Sequence, residues 1–313
     1  MTTTLRLGAL AAALALAAPA AAEDVTKSLG DAGATLAAAG ATHGVSERDV
    51  RFEVEGQTVV GTLALPEGVA EPPVVLLLHG FTGSRHELGI KDIEEGVFSR
   101  TARRLGEQGI ASLRIDFRGS GESDGAWPDT TFSSQIVDAI AAVGYLRGLD
   151  GVDGANVHML GWSQGGLVAA SAAAETDVAS TVLWAPVTTP GVTYPGLLGM
   201  DASKLALESD PATPISAKLP WGAETTLNAA FYNEVWTTSP LAKVTGYGGP
   251  LLVIVGTRDT TVWPQPLAGQ AYLAAHDGDE GIMVLDTDHV FDAFVGPDTV
   301  DKMAHATAAW IKG

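Results

Sequence analysis

The chain has 313 residues, of which 46% are hydrophobic and 18% charged, and it contains no cysteine. That composition excludes a disulfide-stapled miniature, a cysteine nucleophile and a cysteine-ligated metal, and its apolar content excludes disorder as the general state. A formal net charge of −19, with no basic run, makes it a poor partner for nucleic acid or an anionic membrane surface.

Residues 1–22 read as an address rather than as part of the fold. Arg6 is their only charged side chain, a Leu/Ala stretch follows, and Pro19 and three alanines precede Glu23. This is the layout of a secretory signal peptide cleaved after Ala22. Its removal leaves 17 basic against 37 acidic side chains. No other stretch has the roughly 18 continuous apolar residues that a spanning helix needs. The sequence therefore predicts export to the periplasm or the medium without stable membrane anchoring. Residues 23–48 are Ala/Gly/Thr-rich and read as a loosely attached leader.

From Val50 the texture changes. RFEVEG and TVVGTLALP alternate and end at Pro66, which predicts an antiparallel hairpin. PPVVLLLHG is a continuous apolar run, as in a strand buried on both faces. IASLRIDF, NVHMLGW, STVLWAP, LLVIVG and GIMVLD predict further strands. Helices are predicted over 132–148, 166–174, 265–275 and 298–312. Strand–helix alternation over this length predicts an α/β fold, a mostly parallel eight-stranded sheet with helices on both faces, spanning 49–313. Residues 187–241 break the rhythm. They are polar, rich in Pro and Gly, and carry Tyr194, Trp221, Phe231, Tyr232 and Trp236. Such a long interval without an evident sheet strand predicts an inserted cap over one end of the sheet.

The motif that carries chemistry is Gly161-Trp162-Ser163-Gln164-Gly165, between a predicted strand and a predicted helix. G-x-S-x-G in that setting is a nucleophile elbow, whose turn is so tight that the positions two before and two after the serine must be small. A serine hydroxyl needs a base. Of seven histidines, His289 follows the last predicted strand and fits the chain order serine, acid, histidine. His158 lies inside a strand and reads as a core residue. The acid that orients the histidine belongs after a strand between the two, where LLVIVGTRD supplies Asp259. Asp286 and Asp288 compete, but they sit too close to His289 in sequence to face its ring. An oxyanion hole needs two backbone N–H groups, which Gln164 and Phe81 of His79-Gly80-Phe81-Thr82-Gly83 can supply. His79 reads as a brace for that loop. Asp116 and Glu122, in DFRGSGESDG, read as turn-forming rather than catalytic.

HGFTGSRHE, DFRGSGESDG, GWSQGG, the acid in GTRDTTV and the late DHVF together resemble the α/β-hydrolase superfamily and, within it, the cinnamoyl/feruloyl esterases. The resemblance covers roughly 50–313, and the NAAFYNEVWTTSPLAKV end of the predicted cap is similar to theirs. It implies Ser163, Asp259 and His289 as the triad, Phe81 and Gln164 as oxyanion donors, and a small-molecule ester as substrate, with no cofactor and no metal. Trp162 is a departure, since these esterases commonly carry histidine there. Trp162 and Tyr232 are the candidate substrate contacts. The expected activity is hydrolysis of carboxylic esters through an acyl-enzyme, with feruloyl- or cinnamoyl-type aromatic esters as one substrate class. An exported serine peptidase or amidase on the same fold is the alternative, although the prolyl-oligopeptidase type usually adds a large N-terminal β-domain. A dienelactone-type hydrolase would normally use cysteine, and no long apolar lid suggests a lipase. A non-catalytic binding protein on the scaffold would have no need of serine, acid and histidine in register. Oligomeric state is not encoded in any motif.

Overall fold

A computed structural model describes residues 42–313. The predicted signal peptide and most of the predicted leader lie outside the described residues. Strand β1 (Val45–Val54) begins inside the stretch read as leader. Its first half is polar because it is the edge of the sheet, where charged side chains are tolerated. One of those charges, Glu47, pairs with buried Arg114 at 2.8 Å. β1 turns into β2 (Gln57–Pro66) through Glu55 and Gly56, both at positive φ (52° and 80°). That is the two-residue hairpin turn whose twist matches the strands it joins, and the two strands pair antiparallel as predicted.

The sheet continues with β3 (Pro73–Leu78), helix α1 (Val97–Glu107), β4 (Ala111–Ile115), α2 (Phe132–Arg147), β5 (Asp153–Trp162), α3 (Gln164–Thr176) and β6 (Ser180–Trp184). α1 is the one sheet-covering helix missing from the sequence reading. Its buried Val97, Phe98, Thr101, Ala102 and Leu105 nevertheless recur at helical spacing. α2 starts at a capping box, in which Thr131 and Ser134 satisfy each other's backbone N–H groups.

Between β6 and the next sheet strand lies the insertion. It contains α4 (Pro190–Leu198), α5 (Met200–Leu207), the antiparallel pair β7 (Pro214–Lys218) and β8 (Glu224–Asn228), α6 (Ala229–Thr237) and α7 (Pro240–Val244). Its hairpin forms a sheet of its own, so the main sheet passes the insertion by, as the broken rhythm predicts. β9 (Leu251–Gly256), α8 (Leu267–Ala275), β10 (Glu280–Leu285) and α9 (Asp298–Lys312) complete the chain. The eight-stranded order is β1-β2-β4-β3-β5-β6-β9-β10, with antiparallel pairing confined to β1-β2 and β2-β4.

The all-apolar strands are explained by burial on both faces. Val75 and Leu77 of β3 pack with α1 and α9 through Phe98, Leu105, Val300 and Met303. Val74, Leu76 and Leu78 pack on the other side with α2 and α3 through Ala139, Val143 and Leu167. Each such buried aliphatic side chain contributes on the order of 1.5–3 kcal/mol of transfer free energy. The result is a rigid platform whose loops at the carboxyl ends of β3, β5, β9 and β10 meet at one edge. Among the described residues, no helix is long and apolar enough to cross a membrane.

Candidate active site

β5 runs into α3 through Ser163, which adopts φ 55° and ψ −114°, a conformation rare for any residue with a side chain. The elbow is closed by Gly161 and Gly165. A Cβ on Gly161 would strike the Gly165 carbonyl, and one on Gly165 would strike the Leu78 carbonyl. Glycine at both positions is therefore a steric requirement. Ser163 immediately precedes the N-terminus of α3, where the helix dipole favours negative charge.

The His289 ring lies beside it. Nε2 is 3.0 Å from Ser163 Oγ, and Nδ1 is 2.7 Å from Asp259 Oδ2. Asp259 follows β9 and is 4% exposed. Its other oxygen accepts the Thr261 and Val262 N–H groups at 2.8 and 2.9 Å, which fixes the carboxylate in place. The competing acids are occupied elsewhere. Asp286 is solvated and bonds Arg258 at 2.9 Å, while Asp288 accepts the Val290 and Asp292 N–H groups of its own turn. Serine, histidine and aspartate thus form one continuous hydrogen-bonded chain.

The Phe81 loop borders the same serine. A Cβ on Gly80 would stand 3.5 Å from Ser163 Cβ, and among the described residues neither the Phe81 nor the Gln164 N–H makes a backbone hydrogen bond. His79 braces the loop. Its Nε2 accepts the Phe117 N–H at 3.2 Å, so Nδ1 carries the proton and donates to the Gly80 carbonyl at 2.9 Å. Burial lowers the His79 pKa, which favours the neutral ring this arrangement requires. Arg85 clamps the loop to the DFRGSGESDG turn by pairing with Asp116 and Glu122. Asp116 also accepts the Arg85 N–H at 2.7 Å, so both acids are structural.

The cap reaches both residues proposed as oxyanion donors through one side chain. Tyr194 of α4 donates to Gln164 Oε1 at 2.5 Å, and its ring meets Phe81 edge to face at 5.6 Å. Phe231 of α6 stacks on Phe81 at 5.9 Å and meets Tyr194 edge to face at 5.1 Å, so the three rings form one cluster. Nothing in the local sequence singles out Tyr194; the contact is made by the fold of the cap. Tyr232, the candidate substrate contact, is elsewhere. It is fully buried against Phe231, with its hydroxyl directed at the Ile215 carbonyl, because α6 turns that face into the cap. Trp162 does border the cavity at Ser163, yet most of its ring is spent on packing with Phe98, His289 and Phe291. Its indole N–H donates to the His289 carbonyl at 3.3 Å.

Ser163 opens into a cavity of about 550 Å³. Phe81, Leu88, Leu197, Trp221, Val290 and Phe294 supply apolar walls, and Glu87 and His289 are the titratable side chains that line it. No group of three or more metal-ligating side chains occurs among the described residues.

Fold and site together define a hydrolase of the α/β class, and comparison with known proteins agrees. The Alpha/beta hydrolase family model matches residues 75–303, and the chain belongs to that family. An uncharacterized 31.7 kDa protein from the traX-finO intergenic region of Escherichia coli is 32% identical over 114 residues, 36% of this chain and 37% of that one. The quorum-quenching protein AidA of Acinetobacter baumannii is 30% identical over 142 residues, 45% of this chain and 44% of its own. The chain thus spans 37% and 44% of the length of these curated relatives. Among solved structures, Est1E of Butyrivibrio proteoclasticus with bound ferulic acid superposes with a TM-score of 0.64 at 22% identity, over 84% of this chain and 98% of that one. The fold therefore resembles that of a protein solved with ferulic acid bound.

Proposed function

We propose that the protein is a serine esterase that cleaves carboxylic esters through an acyl-enzyme. The observation that carries this reading is the chain from Asp259 through His289 to Ser163. In the proposed reaction His289 Nε2 takes the Ser163 proton as Oγ attacks the ester carbonyl. Asp259 holds the Nδ1–H tautomer and stabilises the imidazolium. The Phe81 and Gln164 N–H groups receive the developing oxyanion, each contributing on the order of 3 kcal/mol. His289 then protonates the departing alcohol, and the same histidine activates the water that releases the acid.

Neutral esters with an aromatic acyl group fit the cavity best. Its walls are mostly apolar, and no Lys or Arg lines it to pair with a charged substrate. The likeness of the fold to an esterase holding ferulic acid supports the same class. The test is a side-by-side kcat/KM on methyl ferulate, a short p-nitrophenyl ester and an aminoacyl anilide. Preference for methyl ferulate supports the aromatic reading, and preference for the short ester leaves a general carboxylesterase. Cleavage of the anilide alone would replace both with an amidase. Export with loss of residues 1–22 belongs to the same proposal, on the strength of the signal-like N-terminus.

A further inference from the structure

HGFTGSRHE ends in a glutamate that the proposed mechanism does not use. Glu87 returns to the start of its own motif, where Oε1 accepts the Gly80 N–H, one residue before the Phe81 amide. Its backbone is left-handed (φ 59°), an uncommon conformation for a side-chain-bearing residue. Gly83 also makes room for it, since a Cβ there would crowd both carboxyl oxygens at 2.7 and 2.8 Å. The loop is thus wrapped around this carboxyl. A Cβ on Gly80 would lie 3.4 Å from Glu87 Oε1 and 3.5 Å from Ser163 Cβ, so only Gly80 separates the carboxyl from the nucleophile.

We propose that Glu87 is a positioning residue that aims the Phe81 N–H at the reacting carbonyl, and that it serves in this role as the neutral acid. The inference rests on the serine-esterase reading above. A carboxylate in that place would set a second negative charge beside the oxyanion. Burial is the main influence on the group and pushes its pKa up to about 8, outweighing the Gly80 and Leu88 N–H groups that favour the charged form. Among the described residues, no cation pairs with the carboxyl. Arg85 turns to Asp116 and Glu122, and His86 to Ser99. His79 faces Gly80 O and Phe117 N, and His289, across the cavity, faces Asp259 and Ser163. Among the described residues the ionised carboxyl therefore has no cation to pair with, and turnover should fall as pH rises through about 8.

The experiment is a pH profile of kcat and KM from pH 6 to 10 on a short p-nitrophenyl ester, with Ser163→Ala as the blank. It is run on the wild type, Glu87→Gln and Glu87→Ala, each checked by thermal melting. The wild type should lose about tenfold in kcat across the alkaline limb, with KM little changed, as expected for a group that acts only on developing charge. Glu87→Gln, a permanent neutral acceptor, should remove that limb and recover most of the turnover that Glu87→Ala loses. A wild-type profile flat to pH 10 would overturn the inference without recourse to any variant. So would an alkaline limb unmoved in a folded Glu87→Gln enzyme. Absence of Ser163-dependent turnover at every pH would instead overturn the esterase reading.

Discussion

Replacing Asp259 by Asn tests the orienting acid at constant shape. Oδ1 faces two N–H donors, those of Thr261 and Val262, so the amide oxygen of an asparagine must take that side. Its NH2 group then points at His289 Nδ1, where the carboxylate oxygen now sits at 2.7 Å. Two donors cannot share that contact. The ring must shift its proton to Nε2, and a protonated Nε2 cannot accept from Ser163 at 3.0 Å. The expected loss in kcat is on the order of 10⁴-fold, the magnitude of a wrong-tautomer triad, or roughly 5–6 kcal/mol of transition-state stabilisation. Asp286→Asn removes only an exposed, solvent-screened ion pair with Arg258, away from the His289 ring. Asp288→Asn leaves an oxygen to accept the Val290 and Asp292 amides. Both should keep kcat within about twofold of the wild type. Steady-state hydrolysis of a p-nitrophenyl ester compares the three enzymes, with urea unfolding as the check on folding. A loss below tenfold in Asp259→Asn, or a larger one in either other variant, would refute the assignment.

Four other outcomes are expected. Tyr194→Phe leaves the Gln164 amide oxygen without its buried donor. It should lower stability by about 1–3 kcal/mol, read as a drop of several degrees in melting temperature, together with kcat. Tyr232→Phe should leave kcat/KM on methyl ferulate within about twofold, because the hydroxyl faces the Ile215 carbonyl inside the cap; a large loss would restore it as a substrate contact. His158 is buried against Ser180, and burial pulls its pKa down to about 4. An unfolded histidine titrates near 6.5, so between these values the unfolded chain binds the extra proton and stability falls as pH drops, by up to about 3 kcal/mol. Urea midpoints at pH 7.5 and 4.5, in the wild type and in His158→Gln, should show that slope shrink in the variant. Mass spectrometry of the exported protein should find Glu23 at the N-terminus; an intact Met1 contradicts cleavage.

The parts of the site that could be read from sequence are those whose chemistry is local. Gly161 and Gly165 announce the elbow because no Cβ fits beside the Gly165 and Leu78 carbonyls. Asp259 and His289 follow from chain order and from loops after strands, and the structure brings both to Ser163. Tyr194 and Glu87 were out of reach because their partners, Gln164 and Gly80, are supplied by tertiary folding and a looped-back backbone. The burial of Tyr232 was out of reach for a related reason. Phe231 and Tyr232 are adjacent on α6, and only the packing of the cap decides that Phe231 meets Phe81 while Tyr232 faces inward. The edge strand β1 hid its first residues behind the polar texture that an edge tolerates.

The central claim is that Ser163 is the nucleophile. Incubation with an activated phosphonate ester that traps serine hydrolases, followed by peptide mass mapping, tests it directly. The account predicts one covalent adduct, on Ser163, formed in step with the loss of ester turnover and absent from a folded Ser163→Ala enzyme. Turnover retained in Ser163→Ala, or an adduct on another residue that accompanies inactivation, would contradict it.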